Sequence, residues 1–79
     1  MRILFFAHVK DAVGMPEMIV TISGHPRAED LWDQLVEVQP KLASFRKTTR
    51  LARNGEYADA KTVFTDADEV ALIPPVSGG

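Results

Sequence analysis

Apolar residues crowd the amino end in alternation: Ile3, Phe5, Ala7 and Val9 would share one face of an extended chain, Leu4 and Phe6 the other. A run that is apolar on both faces predicts a strand over residues 2–9, placed centrally in a sheet. Gly14 and Pro16 make residues 11–16 a turn or loop, and residues 17–22 predict a second strand, joined to the first as a hairpin. After Ser23-Gly24-His25-Pro26 the period becomes helical. From about residue 27 to 39, Ala28, Leu31, Leu35 and Val38 share a face with Trp32 on its flank, while Glu29, Asp30, Asp33 and Glu37 point away. Pro26 suits the helix entrance and Pro40 stops the helix. Residues 41–48 are ambiguous, with Leu42 and Phe45 able to pack a short helical turn.

A third strand follows over residues 49–53. Asn54-Gly55 supplies the pair that a tight type I′ turn needs, because both tolerate positive φ. Residues 56–58 then return, Asp66-Ala67-Asp68 turns again, and residues 69–73 form the last strand. The predicted order is ββαβββ, an α+β domain with a mixed four- to five-stranded sheet packed on one main helix. One helix covers only one face of such a sheet. If the first and last strands are neighbours, Ile3, Phe5, Val70 and Leu72 face the helix, and Phe6 and Ile73 face outward with Tyr57 nearby. An exposed apolar patch of that kind on a small domain marks a binding face.

Composition narrows the picture. At 79 residues, 46% apolar and 25% charged, the chain has the make-up of one folded domain. It has no cysteine, which excludes disulfides, thiolate catalysis and Cys-type zinc sites and fits a cytoplasmic protein. The amino-terminal apolar run is too short for a signal peptide, and no stretch is long enough to span a membrane. A net charge of −2 argues against a nucleic-acid partner. Charge is nonetheless segregated: Glu29, Asp30, Asp33 and Glu37 precede a cluster of Arg46, Lys47, Arg50 and Arg53. Each group is either a solvated face or a docking surface for a protein. His8 and His25 lack the matched spacing of a metal site, and no nucleophile–base set or phosphate loop is present.

The carboxyl end carries the candidate chemistry. Pro74-Pro75 ends the last strand and sets the following Val76-Ser77 in an extended path. Gly78 and Gly79 can thread a channel that rejects a Cβ, and Gly79 bears the main-chain carboxylate. A terminal Gly-Gly arises by chance in about half a per cent of chains. Residues 1–75 are therefore expected to form the domain and residues 76–79 a flexible tail.

Ile3-Leu4-Phe5-Phe6-Ala7, Gly14, the Asn54 turn, and Asp66-Ala67-Asp68-Glu69-Val70-Ala71 leading to Pro74-Pro75-Val76-Ser77-Gly78-Gly79 resemble the small, sulfur-carrying subunit of molybdopterin synthase. The resemblance spans almost the whole chain, weakest between Gln39 and Thr49, and implies the β-grasp, ubiquitin-like fold. It departs at Arg27, where the family often has a Thr able to cap the helix.

The resemblance implies a carrier that does no catalysis alone and binds no cofactor of its own. An E1-like activating enzyme spends ATP to adenylate Gly79, and a sulfur donor system converts it to a thiocarboxylate. The large, catalytic subunit then takes the tail and passes the sulfur to cyclic pyranopterin monophosphate, in a heterotetramer of two small and two large subunits. Gly79 is the carrier, Gly78 gives clearance, and Pro74, Pro75, Val76 and Ser77 position the tail. Phe6, Tyr57 and Ile73 would meet the large subunit, and Arg50 or Arg53 would pair with acidic groups on a partner. Three alternatives stay open: a thiocarboxylate carrier for thiamine, cysteine or tRNA thiolation, a ubiquitin-like modifier, and an interaction module with an inert tail.

Overall fold

The amino-terminal apolar run divides at Phe6. In the computed structural model, which describes residues 1–75, it yields strand β1 (Arg2–Phe5) and then helix α1 (Ala7–Val13). The expected strand to Val9 and loop from Asp11 are thereby corrected. Phe6 is still extended, and Ala7 takes φ +48°, so the chain turns a sharp corner between them. An alanine in the left-handed region costs on the order of 1 kcal/mol, which the packing of the new helix must offset. Val9 and Val13 supply that packing. They lie one helical turn apart and are both buried, whereas His8, Lys10 and Asp11 are exposed. Gly14 ends the helix at φ +84°, its N–H donating to the Lys10 carbonyl at 2.8 Å.

Strand β2 (Glu17–Ile19) pairs antiparallel with β1, with Ile3 opposite Met18. The pairing expected of a hairpin is present, but a helix joins the strands and β2 stops short of residue 22. Val20 and Ile22 still enter the core from an irregular segment. Asp66 holds that segment in place: its Oδ1 accepts from the Ile22 N–H at 2.8 Å and from the Met1 ammonium at 3.1 Å.

Helix α2 (Ala28–Val38) matches its expected span within a residue at each end. Arg27 is the N-cap residue and its side chain makes no capping bond; Glu29 and Asp30 in the first turn favour the dipole instead. Leu31 and Leu35 are fully buried and Trp32 nearly so. Val38, expected on the same face, is 57% exposed. Leu42 fills the space below the helix end in its stead, carried there by a 3₁₀ segment (Pro40–Phe45) that begins where α2 stops. Pro40 thus ends one helix and starts another, as its fixed φ permits. Arg46 fastens this segment to α2 through Asp33 at 2.7 Å and Glu29 at 3.1 Å. Part of the acidic and basic segregation in the sequence is therefore an internal clasp.

Strands β3 (Arg50–Arg53) and β4 (Glu56–Tyr57) form a hairpin about Asn54 and Gly55, with φ of +49° and +90°. The Asn54 amide also donates to Asp68 at 3.0 Å, and its carbonyl oxygen accepts from the Glu69 N–H at 2.9 Å. The turn is thus tied to the start of β5 (Glu69–Ile73). The sheet order is β2-β1-β5-β3-β4, with β5 parallel to β1 and antiparallel to β3. Ile3, Val70 and Leu72 are fully buried on the helix side and Phe5 nearly so, in the alternation expected from sequence.

Candidate functional site

Strand parity sends every second residue of β1, β3 and β5 to the side that no helix among the described residues covers. The register aligns Leu4 with Ala71, Ala71 with Ala52, and Ala52 with Tyr57. Between Leu4 and Tyr57 in this row, Ala52 is buried and Ala71 half-buried. Arg50 pairs with Ile73 in the next row, and Phe6 follows Phe5, whose partner is Leu72. Phe6 is 46% exposed and Tyr57 58% exposed, while Ile73 is half-buried. Ile73 and Tyr57 thus take the outer parity, and Phe6 is exposed just beyond the end of β1. The half-buried Leu4 and Ala71 extend this patch; they were missed because small or half-buried residues carry no signal of their own in sequence.

The patch lies at the carboxyl end of β5. Pro74 is half-buried and Pro75 exposed as the chain leaves the sheet. The expectations for Val76, Ser77, Gly78 and Gly79 fall outside the described residues.

The two candidate arginines part company. Arg50 shares the patch, its guanidinium carbon 3.8 Å from the centre of the Tyr57 ring. Arg53, opposite Val70, belongs to the helix-side parity and donates to the Val63 carbonyl at 2.7 Å. At the far end of the same outer face, Arg2 bridges Glu17 at 2.6 Å and Glu69 at 2.9 Å. The hydrogen bond from Arg2 holds the Glu17 carboxyl below its usual range. This cluster gives the patch a polar border.

A cleft of about 270 Å³ beside α2 is bounded by Ala28, Trp32, Thr49, Arg50, Leu51, Ala58, Asp59 and Ala60. The Thr49 hydroxyl there is buried without a hydrogen-bond partner. Asp59 is engaged locally: the Lys61 N–H and the Thr62 hydroxyl hold its carboxyl below the usual range. No group of three His, Cys, Asp or Glu side chains placed to hold a metal occurs among the described residues, and no helix among them is long and apolar enough to cross a membrane. What the geometry offers is a partly exposed apolar face near the carboxyl end of β5.

Residues 3–79 match the ThiS family. The chain belongs to that family. Among curated ThiS relatives, the molybdopterin synthase sulfur carrier subunit of Chlamydomonas reinhardtii is 38% identical over 80 residues, covering 99% of this chain and 96% of that one. The crystal structure of SAMP1, a small archaeal modifier protein from Haloferax volcanii, superposes with a TM-score of 0.81 at 30% identity, covering 99% of this chain and 97% of the other. A complex of subunits 1 and 2 of molybdopterin-converting factor from Helicobacter pylori contains a chain of the same fold, with a TM-score of 0.68 at 20% identity and coverage of 99% and 96%. The five-stranded mixed sheet is the ubiquitin-like β-grasp, as the resemblance in the sequence implied.

Proposed function

We propose that this ThiS-family chain is the sulfur carrier of molybdopterin synthesis. The observation that carries the reading is the 38% identity, over nearly the full length of both chains, to a molybdopterin synthase sulfur carrier subunit. An activating enzyme consumes ATP to join AMP to the Gly79 carboxylate with release of pyrophosphate. Sulfur from a donor then displaces AMP and leaves a thiocarboxylate. A carboxylate is a poor acyl donor, and adenylation supplies the leaving group it lacks. The tail enters the active site of a large subunit, which transfers the sulfur to cyclic pyranopterin monophosphate. Tethering the sulfur to a docked protein raises its effective concentration at the acceptor.

The outer face supplies the docking surface in this reading. Phe6, Tyr57 and Ile73 meet the large subunit, and Pro74 and Pro75 direct the tail away from the sheet. The joint presence of subunits 1 and 2 in the Helicobacter pylori complex supports a large-subunit partner, here in a tetramer of two small and two large chains. The 30% identity to the archaeal modifier protein favours one second reading, attachment of the Gly79 carboxyl to lysine side chains of other proteins.

Intact mass spectrometry tests both. The chain is incubated with ATP, the activating enzyme and a sulfur source, then with the large subunit and the pterin substrate. Replacement of one oxygen by sulfur at Gly79, discharged on addition of large subunit and pterin, is the expected result. Deleting Gly79 abolishes transfer and leaves folding intact. An unchanged mass, alongside conversion of a control carrier, overturns the reading. Conjugates to lysine with no sulfur transfer would establish the modifier instead.

A further inference from the structure

The apolar outer face cannot be covered without also covering a cation. Arg50 sits between Ile73, its partner in the ladder, and Tyr57, against whose ring its guanidinium lies at 3.8 Å. Arg2 is already committed to Glu17 and Glu69, Arg46 to Asp33 and Glu29, and Arg53 to the Val63 carbonyl, while Arg27 is exposed at the N-cap of α2 and makes no side-chain capping bond. Among the described residues Arg50 has no ion pair. Stacking covers the guanidinium face and leaves its N–H edges free, the geometry that suits a planar, two-oxygen acceptor. It also restrains a long side chain before any partner arrives, which lowers the entropy lost on binding.

We propose that Arg50 and Tyr57 act as one recognition element, taking a carboxylate side chain of the large subunit beside the root of the tail. This rests on the docking reading given above. A partner that buried Phe6, Ile73 and Tyr57 without such a group would strand an unpaired charge in an apolar interface, a strongly disfavoured outcome. The element therefore selects partners: a large subunit with a neutral or basic residue there is rejected, whatever its apolar complementarity. It also orients the docked chain, because Arg50 is opposite Ile73 and only Pro74 and Pro75 separate that pair from the tail.

The test is binding of the full chain to the cognate large subunit by calorimetry at low and high salt, with melting temperatures recorded for each variant. Arg50→Gln should weaken binding about thirtyfold or more and flatten its salt dependence. Arg50→Lys keeps charge and loses the planar fork, so it should recover affinity only in part. Tyr57→Phe keeps the ring and should stay within about threefold of the parent. Arg50→Gln combined with Tyr57→Leu should lose less than the product of the single losses, since the two side chains act together. Unchanged or tighter binding of Arg50→Gln would overturn the proposal and mark the guanidinium as a cover displaced on docking. Strictly multiplicative losses would also overturn it. Failure of the unaltered chain to bind the large subunit is a distinct result, which removes the functional reading itself.

Discussion

The two faces of the central strands are made from much the same residue types and meet opposite fates. On β5, Val70 and Leu72 are fully buried, whereas Ala71 and Ile73, one residue along, are only half-buried. Hydrophobicity does not separate them. What does is cover: α2, α1 and the 3₁₀ segment close one face, and no helix among the described residues closes the other. The inner face holds the molecule together, and the outer face keeps apolar side chains partly exposed.

Substitutions on one strand can break or sharpen that contrast. The largest effect is expected from Leu72→Ala, which leaves a cavity against α2 and should cost about 2–5 kcal/mol, read by denaturant unfolding. Its remaining folded fraction should bind partner normally. Next, Ile73→Asp or Phe6→Asp should weaken binding to the large subunit by about 2 kcal/mol or more while moving stability less, because an interface side chain becomes a charge that must be desolvated. A large fall in melting temperature with unchanged affinity would place those side chains in the core instead.

Acid should act through the closures of the inner face. Hydrogen bonds from the Ile22 N–H and the Met1 ammonium hold the Asp66 carboxyl below its ordinary value of 3.8. Asp68 is also lowered: burial opposes this, but the Thr65 N–H, the Asn54 amide and Arg53 outweigh it. A carboxyl whose pKa is lower in the folded chain contributes stability that is fully present above its unfolded pKa and is lost as pH falls through the folded one. Melting temperature should therefore hold steady from neutrality to about pH 5 and decline below about pH 4, with Asp66→Asn reducing the decline. The smallest effect is expected from Ile19→Thr. Ile19 is 74% exposed on the edge strand, beyond the Arg2 cluster, so the change should leave both stability and binding within about 0.5 kcal/mol.

Much of this architecture was legible because it follows from local rules. Alternation in residues 2–5 and 69–73 assigned the inner face, and Asn54-Gly55 announced its turn. Helix α1 was hidden because Phe5, Ala7 and Val9 also satisfy strand alternation. The corner at Ala7 uses a φ that alanine rarely adopts, and only tertiary packing enforces it. The spacing of Val9 and Val13 was the helical signal available. Val38 misled because periodicity cannot show where a following segment will supply a better plug. Arg50 and Arg53 were readable in principle: three residues apart on a strand, they must face opposite sides. The clasp of Arg46 on Glu29 and Asp33 joins elements distant in sequence, and only the fold brings it about.

The placement of β5 bears on how the chain is made. The final strand in sequence is the middle strand of the sheet, flanked by β1 and β3. Before it is synthesised, β2–β1 and β3–β4 are two separate strand pairs with no shared ladder, and Ile3 and Leu51 lack the Val70 and Leu72 partners that β5 brings. Folding must therefore wait until translation has passed residue 73, and a product broken off earlier has no stable core to protect it from proteases. A molecule that passes this quality check necessarily carries the strand from which the tail departs.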